Sequence, residues 1–263
     1  QNGVFYAGWY AGDWRRQNAR MARSYQAANY VFWQSEFCRR CADEFLGPRA
    51  GDGEILFNAV DTVRFRPLAR PASDRFTFLL TGKIDTHLYY RLESTIAGLA
   101  AARAKGLDAR LIIAGWVADD AVSRATAQAT AFGVAGQVAF SGAYTQEAAP
   151  GIYGAADAYV MTKHNDPCPN TVLEAMACGL PVLYSVSGGV PELVGPDAGV
   201  GLAVRESWGA PEVPEAGAIA DGMLAVAAGR DRMALAARER ALAHFDINHW
   251  IGRHRAVFER LLA

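Results

Sequence analysis

Long hydrophobic runs are absent from the sequence, and no apolar stretch approaches the roughly 20 residues that a membrane-spanning helix needs. Residues 1–10 lack the basic start and apolar core of a signal peptide. There is no excess of charge either. With 26 basic and 27 acidic side chains the net charge is −1, so nothing global indicates nucleic acid as a partner. The composition, 51% hydrophobic and 20% charged, is typical of a globular protein.

Cysteine is scarce, with Cys38, Cys41, Cys168 and Cys178 as its only occurrences. Cys38 and Cys41 form a Cys-x-x-Cys, a spacing found in redox pairs and in half a zinc site. No second such pair and no pair of histidines is spaced to complete a zinc site. The motif falls inside the helical pattern SEFCRRCADEFL, which favours ordinary helix cysteines. Reduced cysteines fit a cytoplasmic protein best.

Short apolar runs bounded by glycine alternate with helical stretches along the chain. The candidate strands are NYVFWQ, GEILFN, RFTFLLTG, ARLIIAG, QVAFSG, DAYVMT, LPVLYS and GVGLAV. Such runs indicate buried parallel strands with helices on both faces. The sequence therefore predicts a doubly wound α/β architecture. No Gly-x-Gly-x-x-Gly follows a first strand, which argues against a nicotinamide-linked dehydrogenase.

One arginine-rich segment with prolines, NAVDTVRFRPLARPASDRF, interrupts this alternation. We place a hinge there, at residues 58–75. Too few strands precede it for a complete domain, whereas a complete one follows. We therefore predict part of a Rossmann-like domain with the hinge at residues 1–70, a whole one at 71–245 and a C-terminal helix at 246–263 that crosses back to the first. The chain also opens without Met, and we interpret it as a fragment or a processed form.

The most informative stretch is HNDPCPNTVLEAMACGLPV, residues 164–182. Pro169 fits the first position of a helix, with Asp166, Cys168 or Asn170 as the cap. Gly179 fits the left-handed end of that helix. The first N–H groups of such a helix have no partners inside it, and its dipole adds positive charge there. In an open α/β sheet this end faces the crevice, where a phosphate or diphosphate fits.

Glu174 stands in the middle of this otherwise apolar helix. A buried acid needs hydrogen-bond partners, and a sugar diol can supply two donors to one carboxylate. Asp166 can approach the same crevice from the far side of the phosphates. The alternative is that Glu174 is a helix acid favoured by the dipole.

The stretch resembles the signature of the retaining nucleotide-sugar glycosyltransferases of the GT-B fold, in glycosyltransferase family four. That signature is an acid, seven residues, a Glu and then Ala-Met-Ala-x-Gly-x-Pro-Val, here Asp166, Glu174 and AMACGLPV. SVSGGVPELVG is similar to the family's Gly-Gly-x-Pro-Glu segment, and FTFLLTGK to the first strand of its donor domain. DARLIIAG, VAFSGAYTQEAAPGIYGAADAYV and SEFCRR also match in order. The resemblance implies a nucleotide-sugar domain at 71–245 and a partial acceptor-side domain before it.

The resemblance also implies roles for single residues. Glu174 would bind the nucleotide ribose, and Asp166 would contact the donor sugar, although the family usually has the longer Glu there. Backbone N–H groups near Asn170 and Thr171 would bind the diphosphate.

Two cations of the family hold the diphosphate after the first donor-domain strand. Lys83 occupies the first position, and Arg91 is the candidate for the second, with His87 behind it. Lysine is rare in this chain, so its occurrence at position 83 favours a specific role. The alternative is that Lys83 is a solvated residue at the end of a strand. Asp166, Lys83 and Arg91 are the predicted catalytic residues.

Five further residues are predicted to bind the donor. The backbone at Ala143 and Tyr144 would contact the base. Gly188 and Gly189, together with Glu192 in the same turn, would approach the sugar or the acceptor, or else form only a tight turn capped by Pro191. His164 would bond a phosphate or sugar oxygen, or else be a solvated loop residue.

The implied reaction transfers a sugar from a nucleotide sugar to a glycan, lipid or small-molecule acceptor with retention, as in polysaccharide biosynthesis. No two aspartates stand at positions i and i+2, so we expect no metal and no other cofactor. The family's glycine-rich N-terminal loop is not in this chain, and no His precedes His87. A non-catalytic nucleotide-sugar-binding subunit or remnant is therefore the alternative.

A helix at DWRRQNARMARSYQAA would place Arg16, Arg20 and Arg23 on one face. This face could contact anionic lipid or a phosphorylated acceptor, which would give peripheral association with the inner face of a membrane. A solvated face is the alternative.

Overall fold

The computed structural model of the protein describes residues 1, 3–69 and 75–263. The strands in these ranges are β1 (Tyr30–Trp33), β2 (Asp52–Ile55), β3 (Phe76–Thr81), β4 (Ala109–Ala114), β5 (Val138–Gly142), β6 (Ala158–Met161), β7 (Val182–Ser185) and β8 (Gly199–Leu202). The α-helices are α1 (Trp14–Ala27), α2 (Glu36–Leu46), α3 (Tyr90–Ala104), α4 (Asp119–Ala131), α5 (Ala149–Gly154), α6 (Asn170–Ala177), α7 (Val190–Val194), α8 (Ala216–Ala228), α9 (Arg230–His244) and α10 (Ile247–Leu262). Residues 70–74 of the predicted hinge lie outside the described residues.

The strands form two parallel sheets. β1 and β2 pair with each other, and the other six strands form one sheet in the order β5-β4-β3-β6-β7-β8. Seven of the eight predicted strand segments contain one of these strands, and the eighth, GEILFN, overlaps β2, which begins one residue earlier at Asp52. The prediction of an α/β protein with parallel sheets is therefore confirmed.

The order of the larger sheet reverses between β3 and β6. From β3 the chain proceeds to β4 and β5 on one side, then returns to add β6, β7 and β8 on the other. In open parallel sheets such a reversal leaves a crevice at the carboxyl ends of the two central strands. β3 is followed by Gly82 and Lys83, and β6 is followed by the loop of residues 162–169. The side chains of these two segments therefore meet at the crevice.

Apolar side chains cover both faces of the larger sheet. Successive residues of β3 alternate between two buried clusters, with Phe78 and Leu80 in one and Leu79 in the other. This is the period of two that an extended strand imposes. α3 and α8 pack with the first cluster, and α6 and α9 with the second. Burial on both faces explains why these strands read as continuous apolar runs.

The chain passes twice between the two sheets, and the two passages are bonded to each other. Val60 donates its N–H to the carbonyl of Phe245 at 2.8 Å and accepts from the N–H of Ile247 at 3.1 Å. α10 then lies against the smaller sheet, where Arg253 Nε is 2.6 Å from Glu54 Oε1. The domain boundaries at residues 70 and 245 stay predictions.

The cysteines of the Cys-x-x-Cys lie on one helix. Cys38 and Cys41 are buried in α2 among the apolar side chains that cover β1, and both are free thiols. Burial raises the pKa of both thiols, which keeps them protonated at neutral pH. The structure thus places them as ordinary helix cysteines.

None of the helices in the described ranges combines the length and apolarity needed to cross a membrane.

Candidate active site

A cavity of about 1260 Å³ lies at the carboxyl ends of β3 and β6. One wall comes from the segment after β3 and from α3, another from the loop after β6 and the start of α6, and a third from the N-terminal segment and the start of α10. Five of the predicted site residues line it: Lys83, Arg91, Asp166, Asn170 and Thr171. The crevice predicted from the alternating sequence pattern is therefore present, with these residues in its walls.

Arg91 is buried in the wall of this cavity, with 3% of its surface exposed. Its Nη2 donates to the carbonyl of Thr81 at 3.1 Å, and its Nε has no hydrogen-bond partner among the described residues. Gly82, at φ +145°, makes room for it, because a Cβ there would lie 3.1 Å from Arg91 Nη1. No carboxylate of the described residues forms an ion pair with this guanidinium. Its charge is therefore available to a ligand.

Lys83 supplies a second cation at the same wall. The side chain is exposed, and its Nζ lies 5.3 Å from the ring centroid of Trp116. Among the described residues no carboxylate pairs with it. Two cations without acidic partners thus border one cavity, which favours an anionic ligand such as a phosphate.

Asp166 is already paired within the protein. Its Oδ2 accepts a hydrogen bond from Lys163 Nζ at 2.8 Å, and only 13% of its side chain is exposed. The residue before it, Asn165, has φ +52°. Asn tolerates this left-handed conformation better than most residues. The loop is thus sharply bent at the point where it presents Asp166 to the cavity.

Gly188 and Gly189 contact the backbone of this loop and do not line the cavity. A Cβ on Gly188 would lie 2.3 Å from the carbonyl oxygen of Asp166, and one on Gly189 would lie 2.0 Å from that of Pro167. The N–H of Gly189 also donates to the Asp166 carbonyl at 2.9 Å. The structure therefore places both glycines as the support of the Asp166 loop, and their contact with a sugar or acceptor stays a prediction.

α6 begins at Asn170, with Pro169 as its N-cap one position earlier than predicted. The ψ of Pro169 is 118°, which is extended, so its ring precedes the helix. Asn170 Oδ1 accepts from Asn58 Nδ2 at 2.8 Å. The helix ends at Ala177, and Gly179 adopts φ +74° as predicted. The first turn of α6 borders the cavity, where unpaired N–H groups would bind an anion.

Glu174 lies one turn further along α6, outside the walls of the large cavity. Its Oε2 accepts a hydrogen bond from the hydroxyl of Tyr153 at 2.7 Å, and its Oε1 contacts Gln146 Nε2 at 3.5 Å. Burial raises the pKa of this carboxyl, and the hydrogen bonds from Tyr153 and Gln146 act in the opposite direction. The long contact to Gln146 is the one that a ribose hydroxyl could replace.

Ala143 and Tyr144 follow β5 on the same side as Glu174. Ala143 is exposed, whereas Tyr144 is half-buried against the cluster that contains α6. Burial raises the pKa of Tyr144, and hydrogen bonds with Thr81 and Tyr153 oppose this shift. The structure brings Tyr144 near Glu174, and neither Ala143 nor Tyr144 lines the large cavity.

His164 is buried in the loop after β6, with 6% exposed surface, so the alternative of a solvated loop histidine is wrong. Its Nε2 lies 2.9 Å from the carbonyl of Ser207, and its backbone N–H donates to the hydroxyl of Tyr90 at 3.1 Å. Because a carbonyl only accepts, Nε2 carries the proton. His164 lines a smaller cavity of about 350 Å³ next to the large one.

The third wall of the large cavity was not predicted from the sequence. The wall contains Trp9, Tyr10, Gln34, Asn58 and Trp250. Trp9 lies 5.7 Å from Lys163 Nζ and 5.9 Å, between ring centroids, from His87. The aromatic segment FYAGWY was the available signal, but no spacing rule connects it to the loop after β6.

Within the described residues no group of three or more His, Cys, Asp or Glu side chains is placed to hold a metal ion. The expectation of a metal-free and cofactor-free site stays a prediction.

Two parallel sheets with a cation-lined crevice at a reversal of strand order define an α/β protein whose crevice is suited to an anionic ligand. A model of the family described as glycosyl transferases group 1 matches residues 73–221, more than half of the chain. The chain therefore belongs to this family.

The overall fold is similar to those of several solved glycosyltransferases. Sucrose-phosphate synthase from Thermosynechococcus elongatus aligns with a TM-score of 0.77 at 22% identity, over 94% of this chain and 62% of that one. The Anabaena protein HepE, in complex with UDP and glucose, aligns with a TM-score of 0.74 at 18% identity, over 95% of this chain and 67% of that one. These similarities confirm the predicted GT-B architecture.

Similar sequences include two synthases. Glycogen synthase of Mycobacterium tuberculosis is 26% identical over 258 residues, which cover 92% of this chain and 56% of that protein. Mannosylfructose-phosphate synthase of Agrobacterium fabrum is 41% identical over 58 residues, 22% of this chain and 13% of that protein. The chain thus spans little more than half of the glycogen synthase and a small part of the other relative.

Proposed function

We propose that the protein belongs to a glycosyltransferase that moves a sugar from a nucleotide-diphosphate sugar to an acceptor hydroxyl. The observation that carries this proposal is the buried guanidinium of Arg91, which has no carboxylate partner and faces the same cavity as Lys83 and the start of α6. Membership of the glycosyl transferases group 1 family supports it. The similarity in fold to HepE, solved with UDP and glucose, makes UDP-glucose a reasonable first donor to test.

The chemistry follows from the charges around the cavity. Cleavage of the bond between the anomeric carbon and the diphosphate oxygen leaves negative charge on the diphosphate. Arg91, Lys83 and the first N–H groups of α6 would stabilise that charge, and such preorganised electrostatic stabilisation is usually the largest catalytic contribution. Because these cations can do the work of a metal, we propose a metal-independent reaction. Retention of anomeric configuration is proposed from the resemblance to family four.

Asp166 and Glu174 would bind the two sugars of the donor. Asp166 Oδ1 would accept from a hydroxyl of the transferred sugar while Oδ2 stays paired with Lys163. Glu174 would accept from the ribose after Gln146 moves away from Oε1. His164 would act through the position of the Asp166 loop, and Ala143 with Tyr144 would lie next to the base.

We further propose the division of the chain into an acceptor-side part at 1–70, a donor domain at 71–245 and a returning helix at 246–263. The contacts of α10 with the smaller sheet support the last of these. A glycan, lipid or small-molecule acceptor would then meet the wall that contains Trp9 and Trp250. A cytoplasmic location is proposed. Arg16, Arg20 and Arg23 are exposed on α1, as peripheral contact with a membrane would need.

A non-catalytic nucleotide-sugar-binding protein is the second candidate. The cations Arg91 and Lys83 at the cavity would serve binding of a nucleoside diphosphate without any transfer of the sugar.

Calorimetry and a donor assay separate these functions. The chain should bind UDP, and Arg91→Met and Lys83→Met should each weaken that binding. The control Lys105→Met removes a cation that pairs with Asp221 away from the cavity, and it should bind UDP normally. A chain that binds neither UDP nor any other nucleoside diphosphate contradicts both candidates. Binding without hydrolysis or transfer of any nucleotide sugar, in the longest gene product, favours the second.

A further inference from the structure

Glu192 on α7 binds the beginning of a helix from the other part of the chain. Its Oε2 accepts from the backbone N–H of Glu36 at 2.7 Å, and its Oε1 from that of Phe37 at 2.8 Å. These are the first two N–H groups of α2, which have no partners inside the helix. A carboxylate at this end is favoured both by the charge-assisted bonds and by the helix dipole.

The cap of the same helix is bonded to the loop that carries Asp166. Ser35 Oγ accepts from the N–H of Cys38 at 3.1 Å and donates to the carbonyl of Pro167 at 2.9 Å. Pro167 directly follows Asp166. The start of α2 is therefore connected to α7 through Glu192 and to the Asp166 loop through Ser35.

The turn before α7 completes this junction. A Cβ on Gly189 would lie 2.0 Å from the Pro167 carbonyl oxygen and 2.8 Å from Ser35 Oγ. The N–H of Gly189 donates to the carbonyl of Asp166. The start of α2, the Asp166 loop and the turn before α7 thus meet where no side chain fits between them.

We propose that Glu192 is a positioning residue, which holds α2 against the Asp166 loop and so fixes Asp166 relative to the acceptor-side wall of the cavity. The proposal rests on the proposed glycosyl transfer. Glu192 itself lines neither the large nor the smaller cavity. Its effect passes through the start of α2 and the hydroxyl of Ser35 to the backbone carbonyl of Pro167.

The junction is separate from the groups proposed to bind the diphosphate. Arg91 and Lys83 extend from elements that follow β3, and neither contacts α2 or α7 in the described residues. Loss of Glu192 should therefore leave nucleotide affinity nearly unchanged while it lowers turnover. A merely structural role would instead lower affinity, turnover and stability together.

The test compares Glu192→Gln and Glu192→Ala with Glu36→Gln. Glu192→Gln keeps the shape of the side chain, but its amide NH2 replaces one of the two accepting oxygens. This NH2 would then face a backbone N–H of α2, so one of the two hydrogen bonds is lost. Glu36→Gln removes a carboxylate from the same helix end and serves as the control, since among the described residues the Glu36 carboxylate pairs only with Arg39. Glu192→Asp, shorter by one methylene, should restore part of the wild-type behaviour.

Amide hydrogen exchange of the free protein is the first measurement. Exchange in residues 35–38 and 164–166 should accelerate about tenfold or more in Glu192→Gln and Glu192→Ala and stay unchanged in the control, because local opening follows the lost bonds. Exchange in β7 and α6 should not change, which shows that the variants are folded. Unchanged exchange in residues 164–166 overturns the proposal even if no ligand binds.

Kinetics is the second measurement. For Glu192→Ala we expect kcat about tenfold lower, with the UDP dissociation constant within about twofold of wild type. Faster exchange with unchanged kcat overturns the positioning role. A wild type that binds no nucleotide overturns the proposed function instead, and the exchange result still decides whether Glu192 holds the loop.

Discussion

At the scale of single residues, the burial of Arg91 requires an explanation. It is the only buried Arg or Lys among the described residues, and its Nε has no partner. Removing a guanidinium from water is unfavourable unless other groups replace the lost hydration. A carbonyl and the sulfur of Met161 replace only part of it. A bound phosphate would replace the rest of the lost hydration of Arg91. The burial of this guanidinium is therefore less favourable in the free protein than in the bound one.

Arg91→Met should therefore separate binding from stability. We expect UDP affinity to fall at least about tenfold, since a hydrogen bond to a charged group contributes ~1.5–3 kcal/mol. The free energy of unfolding should not decrease, because an apolar side chain replaces an unpaired buried charge. Calorimetry and urea denaturation measure the two. Arg103→Met, which breaks an ion pair with Asp108, is the control for affinity. A variant that loses both stability and affinity would contradict the role assigned to Arg91.

The burial of the Glu174 carboxyl predicts that the free energy of unfolding depends on pH. Its pKa is raised above the ordinary 4.5, mainly by burial, so ionisation disfavours the folded state. The protonated carboxyl therefore contributes stability below the ordinary pKa, and this contribution is lost as pH rises through the raised pKa of the folded state. Because glutamine does not titrate, the stability of Glu174→Gln relative to wild type should increase as pH rises through that interval. Below the interval the difference between the two proteins should be smaller.

Urea unfolding from pH 4 to pH 8 measures this difference between Glu174→Gln and wild type. Glu147→Gln is the control, since Glu147 is exposed and its pKa is lowered by bonds to its own backbone N–H and to Thr145. A Glu174→Gln variant whose relative stability does not rise with pH would show that the carboxyl is not destabilised by burial.

The local motif allowed several site residues to be predicted from the sequence. Asp166, Asn170 and Thr171 follow β6, and the two cations Lys83 and Arg91 follow β3. Because β3 and β6 are parallel neighbours, the topology alone brings these residues together. The pairing of Asp166 with Lys163 and the bonds from Asn58 to the start of α6 were missed. Asn58 is 112 residues from Asn170, and no short-range pattern carries that information.

At the scale of elements, the turn between β7 and α7 determines where the Asp166 loop lies. Gly188 has φ +67°, and a Cβ there would press on the Asp166 carbonyl. Gly188→Ala should lower the free energy of unfolding by roughly 1–3 kcal/mol from backbone strain, with the close contact in addition. Gly217→Ala in α8 is the matched control. It has open space around its Cβ and should stabilise the protein by up to about 1 kcal/mol. Urea denaturation of both variants checks the opposite signs.

The positions of β3, β6 and β7 could be predicted because each is a short apolar run that is buried in a parallel sheet. The start of α6 was misplaced by one residue, since a proline suits both the first helical position and the position before it. What decides between them is the ψ of Pro169, which depends on the packing of the preceding loop.

At the scale of the whole molecule, ligand binding should stabilise folding by mass action. A nucleoside diphosphate that binds only the native state adds ~2.7 kcal/mol at a free concentration about 100 times its dissociation constant. We expect UDP to raise the unfolding temperature, and uridine at the same concentration to have little effect because it lacks the diphosphate. Differential scanning calorimetry measures both. Equal shifts with UDP and uridine would show that the cations of the cavity do not bind the phosphates.

The paired passages between the two sheets restrict how the molecule can bend. Because Val60 is bonded to Phe245 and Ile247, the outgoing and returning segments run side by side. A rotation of one sheet against the other about the line of these two segments leaves both in place. The bonds from the start of α2 to Glu192 and to Pro167 also join the two parts of the chain, so such a rotation would have to break these bonds first.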